Sequence, residues 1–328
     1  MRHKIWGLAL GLSILALPVA AQDTVRFGSL RVPVQVFVGM EKGFFAEEGI
    51  TVESVFFRSG SEIAPAVATG QVDVAITTSG AALFNAVARG AVFTIVAEAL
   101  NIEAGAPGGD PTAIVVRTEA GISTGAGLAG QRIAVTAPGQ ILDMIVNEYL
   151  AQSGVAASEV TTIGMAPPDM VLALTNGSVD AAIMIDPFQS ITVSSGAGTV
   201  LARSSDIMPG ASQAFVVYAQ RMVEEEDLGV RFLRAYHRTN SWMREALITP
   251  EGRSEIAAIY QIHVPARDAS VYETIALGTA SESLAVNVDG DYGLRWQMQT
   301  LIDAGLIPQA PDLDSFVNTS LLDAATAD

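Results

Sequence analysis

One segment of this chain occurs twice, and the duplication restricts the fold more than any other feature. The first copy runs Phe45-Ala46-Glu47-Glu48-Gly49-Ile50 and resumes at Ala68-Thr69-Gly70-Gln71-Val72-Asp73-Val74-Ala75-Ile76. The second runs Leu150-Ala151-Gln152-Ser153-Gly154-Val155 and resumes at Leu174-Thr175-Asn176-Gly177-Ser178-Val179-Asp180-Ala181-Ala182-Ile183. In each copy a helix stops at a glycine able to take the left-handed conformation, Gly49 or Gly154. A strand follows, over 51–57 or 160–165, then a loop, a short helix and a second glycine stop, Gly70 or Gly177. Val-Asp then opens a buried strand, 74–77 or 181–185, and a further strand precedes each unit, at 24–29 and 132–136. Alternating strands and helices imply parallel sheets with right-handed crossovers. The predicted fold class is α/β, with two Rossmann-like lobes. Ligands of open α/β sheets sit beyond the carboxyl ends of the strands, so a cleft between facing lobes is expected.

Two short apolar runs flank the second unit, Ala-Ile-Val-Val-Arg at 113–117 and Ala-Phe-Val-Val-Tyr-Ala at 214–219. They read as hinge strands, where the chain leaves the first lobe and returns. The expected division is therefore 22–116 and 207–328 for lobe one and 117–206 for lobe two. The last third reads as helical, over 228–247, 250–260, 269–278 and 294–304.

The first 21 residues read as a secretory signal. Arg2, His3 and Lys4 precede an apolar run from 5 to 17, and Val19-Ala20-Ala21 forms a small-residue cleavage site. The run is shorter than the roughly 20 apolar residues a bilayer span needs. Cleavage after Ala21 and release into the periplasm are expected. The chain has no cysteine, which excludes disulfides, thiolate nucleophiles, iron–sulfur clusters and a cysteine-linked lipid anchor. A net charge of −17 opposes binding to nucleic acid and to anionic lipid, and it means an anionic ligand needs a local positive site.

The run Gly39-Met-Glu-Lys-Gly-Phe-Phe-Ala-Glu-Glu-Gly-Ile-Thr-Val-Glu53 resembles the opening of solute-binding proteins of the nitrate/sulfonate/taurine type. The two Val-Asp elements, Leu128-Ala-Gly-Gln-Arg-Ile-Ala-Val135 and Asp186-Pro187-Phe188 resemble the same family, which also includes proteins for thiamine pyrimidine precursors. The resemblance covers nearly the whole mature chain. It implies a bilobed periplasmic-binding-protein fold of type II with two hinge crossovers. It also implies a permease and an ATPase as partners, a monomeric binding protein and no cofactor.

The ligand is expected among the loops after the strands. The candidates are Leu30, Arg31, Val32, Ser59, Gly60, Ser61, Thr78, Ser79, Glu98, Pro138, Gly139, Gln140, Asp186 and Phe188. Arg31 is the basic residue of these loops, and its planar guanidinium suits a carboxylate or sulfonate; a solvated loop arginine is the competing reading. Ser61 suits a helix cap, and Gly60 lets backbone approach a ligand. Pro138-Gly139-Gln140 opens a helix, whose free N–H groups favour an anion. Thr78 and Ser79 offer hydroxyls at a strand end. Asp186 accepts either from a ligand N–H or from backbone in an Asx turn, the second being the better reading from sequence alone. Phe188 stacks on a ligand or packs under its loop, and Glu98 lies at the cleft rim or in a hinge hydrogen bond.

The expected function is capture of a small organic anion, sulfonate- or taurine-like or an aromatic carboxylate, for an ATP-driven importer. The alternatives are a pyrimidine or vitamin-precursor binding protein, a pyrimidine-precursor synthase-like enzyme on the same fold, and a sensory binding protein. The enzyme reading lacks a cysteine, and neither His237 nor His263 falls in a cleft loop. Asn287-Val-Asp-Gly-Asp291 begins like a calcium loop, but Tyr292 and Met298 stand where its glycine and glutamate belong, so it reads as a turn. Arg231, Arg234 and Arg238 line one helix face and read as a solvated stripe, with transporter docking as the rival.

Overall fold

A computed structural model of the chain describes residues 22–58, 60–266 and 270–327. The signal segment, its cleavage site and Ser59 lie outside the described residues, as does the side chain of Ser61. Ten strands form two five-stranded sheets. They are β1 (Asp23–Leu30), β2 (Ile50–Phe57), β3 (Val74–Thr78), β4 (Thr94–Asn101), β5 (Thr112–Arg117), β6 (Arg132–Val135), β7 (Thr161–Gly164), β8 (Ala181–Ile185), β9 (Gly198–Arg203) and β10 (Ser212–Tyr218). One sheet has the order β2-β1-β3-β10-β4 and the other β7-β6-β8-β5-β9. The two orders are the same pattern, with β1, β2, β3, β10 and β4 matched by β6, β7, β8, β5 and β9.

The duplicated motif explains why. Gly49 and Gly154 hold φ of 71° and 72°, and Gly70 and Gly177 hold 66° and 73°, so each helix ends where a side chain would be strained. The Val-Asp aspartate then ties each buried strand to the one beside it. Asp73 accepts from Arg26 N at 2.8 Å, Nε at 3.0 Å and Nη2 at 2.8 Å. Asp180 accepts from Arg132 N at 3.1 Å, Nε at 2.9 Å and Nη2 at 3.0 Å. A second arginine from the antiparallel side approaches each carboxylate, Arg221 at 3.6 Å from Asp73 and Arg117 at 3.5 Å from Asp180. Burial works to raise the pKa of Asp73, but the Arg26 bonds and charge outweigh it and the carboxyl lies below its usual range. The Arg132 hydrogen bonds hold Asp180 low in the same way.

The sheets are mixed rather than wholly parallel. β5 pairs antiparallel with β8 and β9, and β10 pairs antiparallel with β3 and β4. The two runs read as hinge strands are thus central strands. Their apolar sequence reflects burial on both faces. Each arrives from the opposite sheet and so enters against the local strand direction. Pairing places 112–117 wholly in the second sheet, whereas the sequence reading keeps 113–116 with lobe one. The chain passes between the sheets over 102–111 and 204–211.

One buried cluster runs across both sheets, joining Ile63, Phe84 and Ile95 to Ile114, Ile133, Ile145 and Leu301. A second packs Phe37, Phe45, Phe232 and Tyr236 on the outer face of the first sheet, and a smaller one packs Met170, Leu174 and Met184 on the second. The arginine stripe is engaged in the fold. Arg231 binds Asp23 and Asp227, Arg234 binds Glu48, and Arg238 binds Glu47, so the stripe clamps the Glu226–Ala246 helix onto the first repeat. No helix among the described residues is long and apolar enough to cross a membrane.

Candidate ligand site between the lobes

A cavity of about 190 Å³ lies between the two sheets. The first sheet and its loops supply Leu30, Val32, Val34, Ile76, Thr78 and Leu100, and the second supplies Thr112, Ile185 and Asp186. Tyr260 and the segment 275–278 complete the wall. The wall residues are mostly apolar. Its polar groups are largely held: Gln35 Nε2 donates to Ala99 O at 2.7 Å, and Thr112 and Gln213 side chains bond each other at 3.3 Å. No lysine, arginine or histidine is among the described residues lining it.

Of the residues picked out from sequence, Leu30, Val32, Thr78 and Asp186 meet in this cavity. Asp186 follows β8 and stands before a cis proline. Its Oδ1 accepts from Ser190 N at 2.9 Å, a local backbone bond four residues on, into the first turn of the following helix, rather than the two-residue Asx turn expected. Its Oδ2 accepts from Ala276 N at 2.7 Å, across the cleft in the C-terminal segment. Burial raises its pKa, opposed by these hydrogen bonds.

Gln140, Gly139 and Ser79 form a second link between the lobes. Gly80 and Gln140 make an antiparallel bridge: Ala81 N donates to Gly139 O at 2.9 Å, and Ile141 N donates to Ser79 O at 3.2 Å. Thr78 Oγ1 donates to Gln140 Oε1 at 3.2 Å. Asp143 holds the loop from beneath, accepting from Gly139 N at 2.8 Å, and burial raises its pKa. Ser79 Oγ is buried without a hydrogen-bond partner among the described residues. Beside this bridge lies a second hollow of about 140 Å³, lined by Gly60, Thr77, Thr78, Arg89 and Gln140 among others. Thr78 belongs to both hollows.

The other candidates sit elsewhere. Arg31 is exposed, with its guanidinium 4.1 Å from the centre of the Phe56 ring, and does not line the cavity. Glu98 is fully buried and accepts from Asn101 Nδ2 at 2.7 Å, Ser212 Oγ at 2.5 Å and Ser281 N at 2.9 Å, a bond set at the base of the second crossover. Phe188 packs against the small cluster of the second sheet. Pro138 stands in the bridging loop without lining either hollow.

Sequence reasoning missed the segment 275–278. A helix is expected over 269–278, but the helix spans only Val271–Thr274. Beyond it Leu277 N donates to Gly108 O at 3.0 Å and Ala276 N to Asp186, so distant partners draw the segment out straight. It missed Ile76, Leu100 and Tyr260 as well, whose apolar side chains read as ordinary core. Arg89, which follows a helix rather than a strand, was not among the candidates.

The motif resemblance is borne out by comparison with known proteins. A family model described as NMT1/THI5 like matches residues 33–246, more than half of the chain. A putative aliphatic sulfonates-binding protein of Bacillus subtilis is 28% identical over 243 residues, covering 70% of this chain and 69% of the relative. The periplasmic aliphatic sulphonate binding protein SsuA of Escherichia coli has a similar fold, with TM-score 0.72 at 19% identity over 92% of this chain and 99% of that one. The periplasmic nitrate-binding protein NrtA of Synechocystis PCC 6803 gives 0.69 at 16% identity over 93% and 88%. The desulfurization enzyme DszB gives 0.63 at 13% identity over 93% and 99%, so the architecture also carries an enzyme. Paired sheets of one strand order, a cleft at their carboxyl ends and a family match through both crossovers lead to one assignment: the chain belongs to the NMT1/THI5-like family.

Proposed function

We propose that this chain is the solute-binding component of an ATP-driven importer, exported to the periplasm, where it captures a small organic anion between its lobes. One observation carries the reading: the cavity takes its walls from both sheets, and hydrogen bonds between the lobes flank it at Gln140 and at Asp186. A ligand touching both walls stabilises the closed arrangement over an open one, and that difference is what a transporter reads. The sulfonate-binding relative and the sulfonate- and nitrate-binding neighbours support an anion as cargo. Binding, not bond making, suits a site whose one acidic group is occupied by backbone N–H groups. Nucleophilic thiol chemistry is closed to a chain without cysteine. The partners are a permease and an ATPase, and the binding protein works as a monomer after removal of residues 1–21. Leu30, Val32, Thr78, Gln140 and Asp186 are the ligand-facing and lobe-joining residues on this reading.

Calorimetric titration of the mature protein with sulfonates and carboxylates tests it. One-to-one binding with a rise in melting temperature is expected, because a ligand of the folded form alone stabilises it. A chain that binds no member of either class would refute the proposal.

A further inference from the structure

We infer that the site has two chambers with different tasks: the cavity of about 190 Å³ takes an uncharged apolar body, and the hollow at Thr78, Gln140 and Arg89 takes the anionic head. The inference rests on the binding reading above and names its ligand class, an organic anion with a body at least the size of an aromatic ring.

The larger chamber carries no basic side chain among its described lining residues, and its one charged group, Asp186, is a carboxylate. An anionic head placed there would face a like charge and apolar walls, with no cation to offset its desolvation. Leu30, Val34, Ile76, Leu100, Ile185 and Leu277 instead present surface that gains from meeting carbon. The volume sets the size, because an apolar cavity of about 150 Å³ holds benzene. A nitrate or a methyl group leaves most of this chamber unfilled, and the ammonium end of taurine finds as its one counter-charge Asp186, whose two oxygens already accept backbone N–H groups, at the cost of desolvation among apolar walls.

The smaller hollow has the complementary chemistry. Arg89 caps the Ala81–Ala88 helix and lines the hollow, and it has no ion-pair partner among the described residues. Gln140 supplies an amide from the other lobe, its Oε1 held by the Thr78 hydroxyl, and Thr78 lines both chambers. Arg89 and Thr78 belong to one lobe and Gln140 to the other, so a head held here reports directly on closure. Thr78 is the joint at which head and body meet.

The test is calorimetric affinity of the mature protein for benzenesulfonate, hexanesulfonate, methanesulfonate, taurine and nitrate, repeated with Arg89→Gln. The ring and the long chain should bind at least tenfold more tightly than methanesulfonate or taurine, as expected from burying about two or more extra methylenes. Arg89→Gln should weaken benzenesulfonate by about tenfold, the loss of one charge-assisted contact, with an unchanged circular dichroism spectrum and melting temperature of the free protein. Methanesulfonate or taurine matching benzenesulfonate would overturn the body assignment. An Arg89→Gln affinity within about twofold of the parent would overturn the head assignment. Either result leaves the binding reading standing, whereas silence from all five anions and from a carboxylate series takes both down together.

Discussion

Replacing Asp73 or Asp180 by alanine removes the acceptor that two arginines and a strand N–H share. Asp73 is 1% exposed, but Arg26 is 41% exposed, so the cost should fall below the roughly 3–5 kcal/mol of a fully buried pair, at about 2 kcal/mol in a denaturant melt. Both carboxyls are held low by their arginines. Their contribution is therefore present above the usual carboxylate range near pH ~3.9 and lost as pH falls through the lower folded values. Asp73→Asn and Asp180→Asn combined should show a flatter loss of stability in acid than the parent; identical acid limbs would contradict the assignment. These aspartates were legible as a repeat, but their purpose was not. Arg26 and Arg132 lie far from them in sequence, and only strand pairing brings each pair together. Arg31 shows the opposite case. It looked like the natural anion partner because it stood in a cleft loop, yet the Phe56 ring engages it outside the cavity. Arg31→Ala should change sulfonate affinity by less than about threefold, since an exposed cation–π contact is worth ~0.5–1 kcal/mol and bears on the ligand only indirectly.

At the scale of elements, the bridge between Gly80 and Gln140 is the feature that closing depends on. A Cβ at Gly80 would stand 2.8 Å from Gly139 O and 3.1 Å from Gln140 Cα. Gly80→Val should therefore hold the two loops apart and weaken ligand by about tenfold or more through a reduced closed population. Small-angle scattering should show a larger radius of gyration with the ligand present than the parent has. A parent-like radius and affinity would remove the bridge from the closing mechanism. The strand and helix pattern of both repeats was readable because glycine stops and apolar runs are local signals. The segment 275–278 was not, because its residues carry no local preference for the extended form they take. Gly108 and Asp186, both remote in sequence, fix it there. The same holds for the hinge runs, readable as strands from their apolar sequence, whose central antiparallel place in each sheet only the pairing reveals.

For the whole molecule, two copies of one unit became two sheets of identical strand order, and the crevice between their carboxyl ends became the cavity that both line. The existence of that crevice was legible from the duplication. Its lining was legible only at Leu30, Val32, Thr78 and Asp186, since the rest comes mostly from residues that are simply apolar and from the C-terminal third. The central claim is capture between lobes. A crystal structure of the mature protein with the tightest-binding sulfonate or carboxylate tests it most directly. One ligand is expected, its carbon body against Leu30 and Ile185 from opposite sheets and its anionic head beside Thr78 and Gln140. A ligand seated on one lobe alone, with the chamber between the sheets left unfilled, would contradict it.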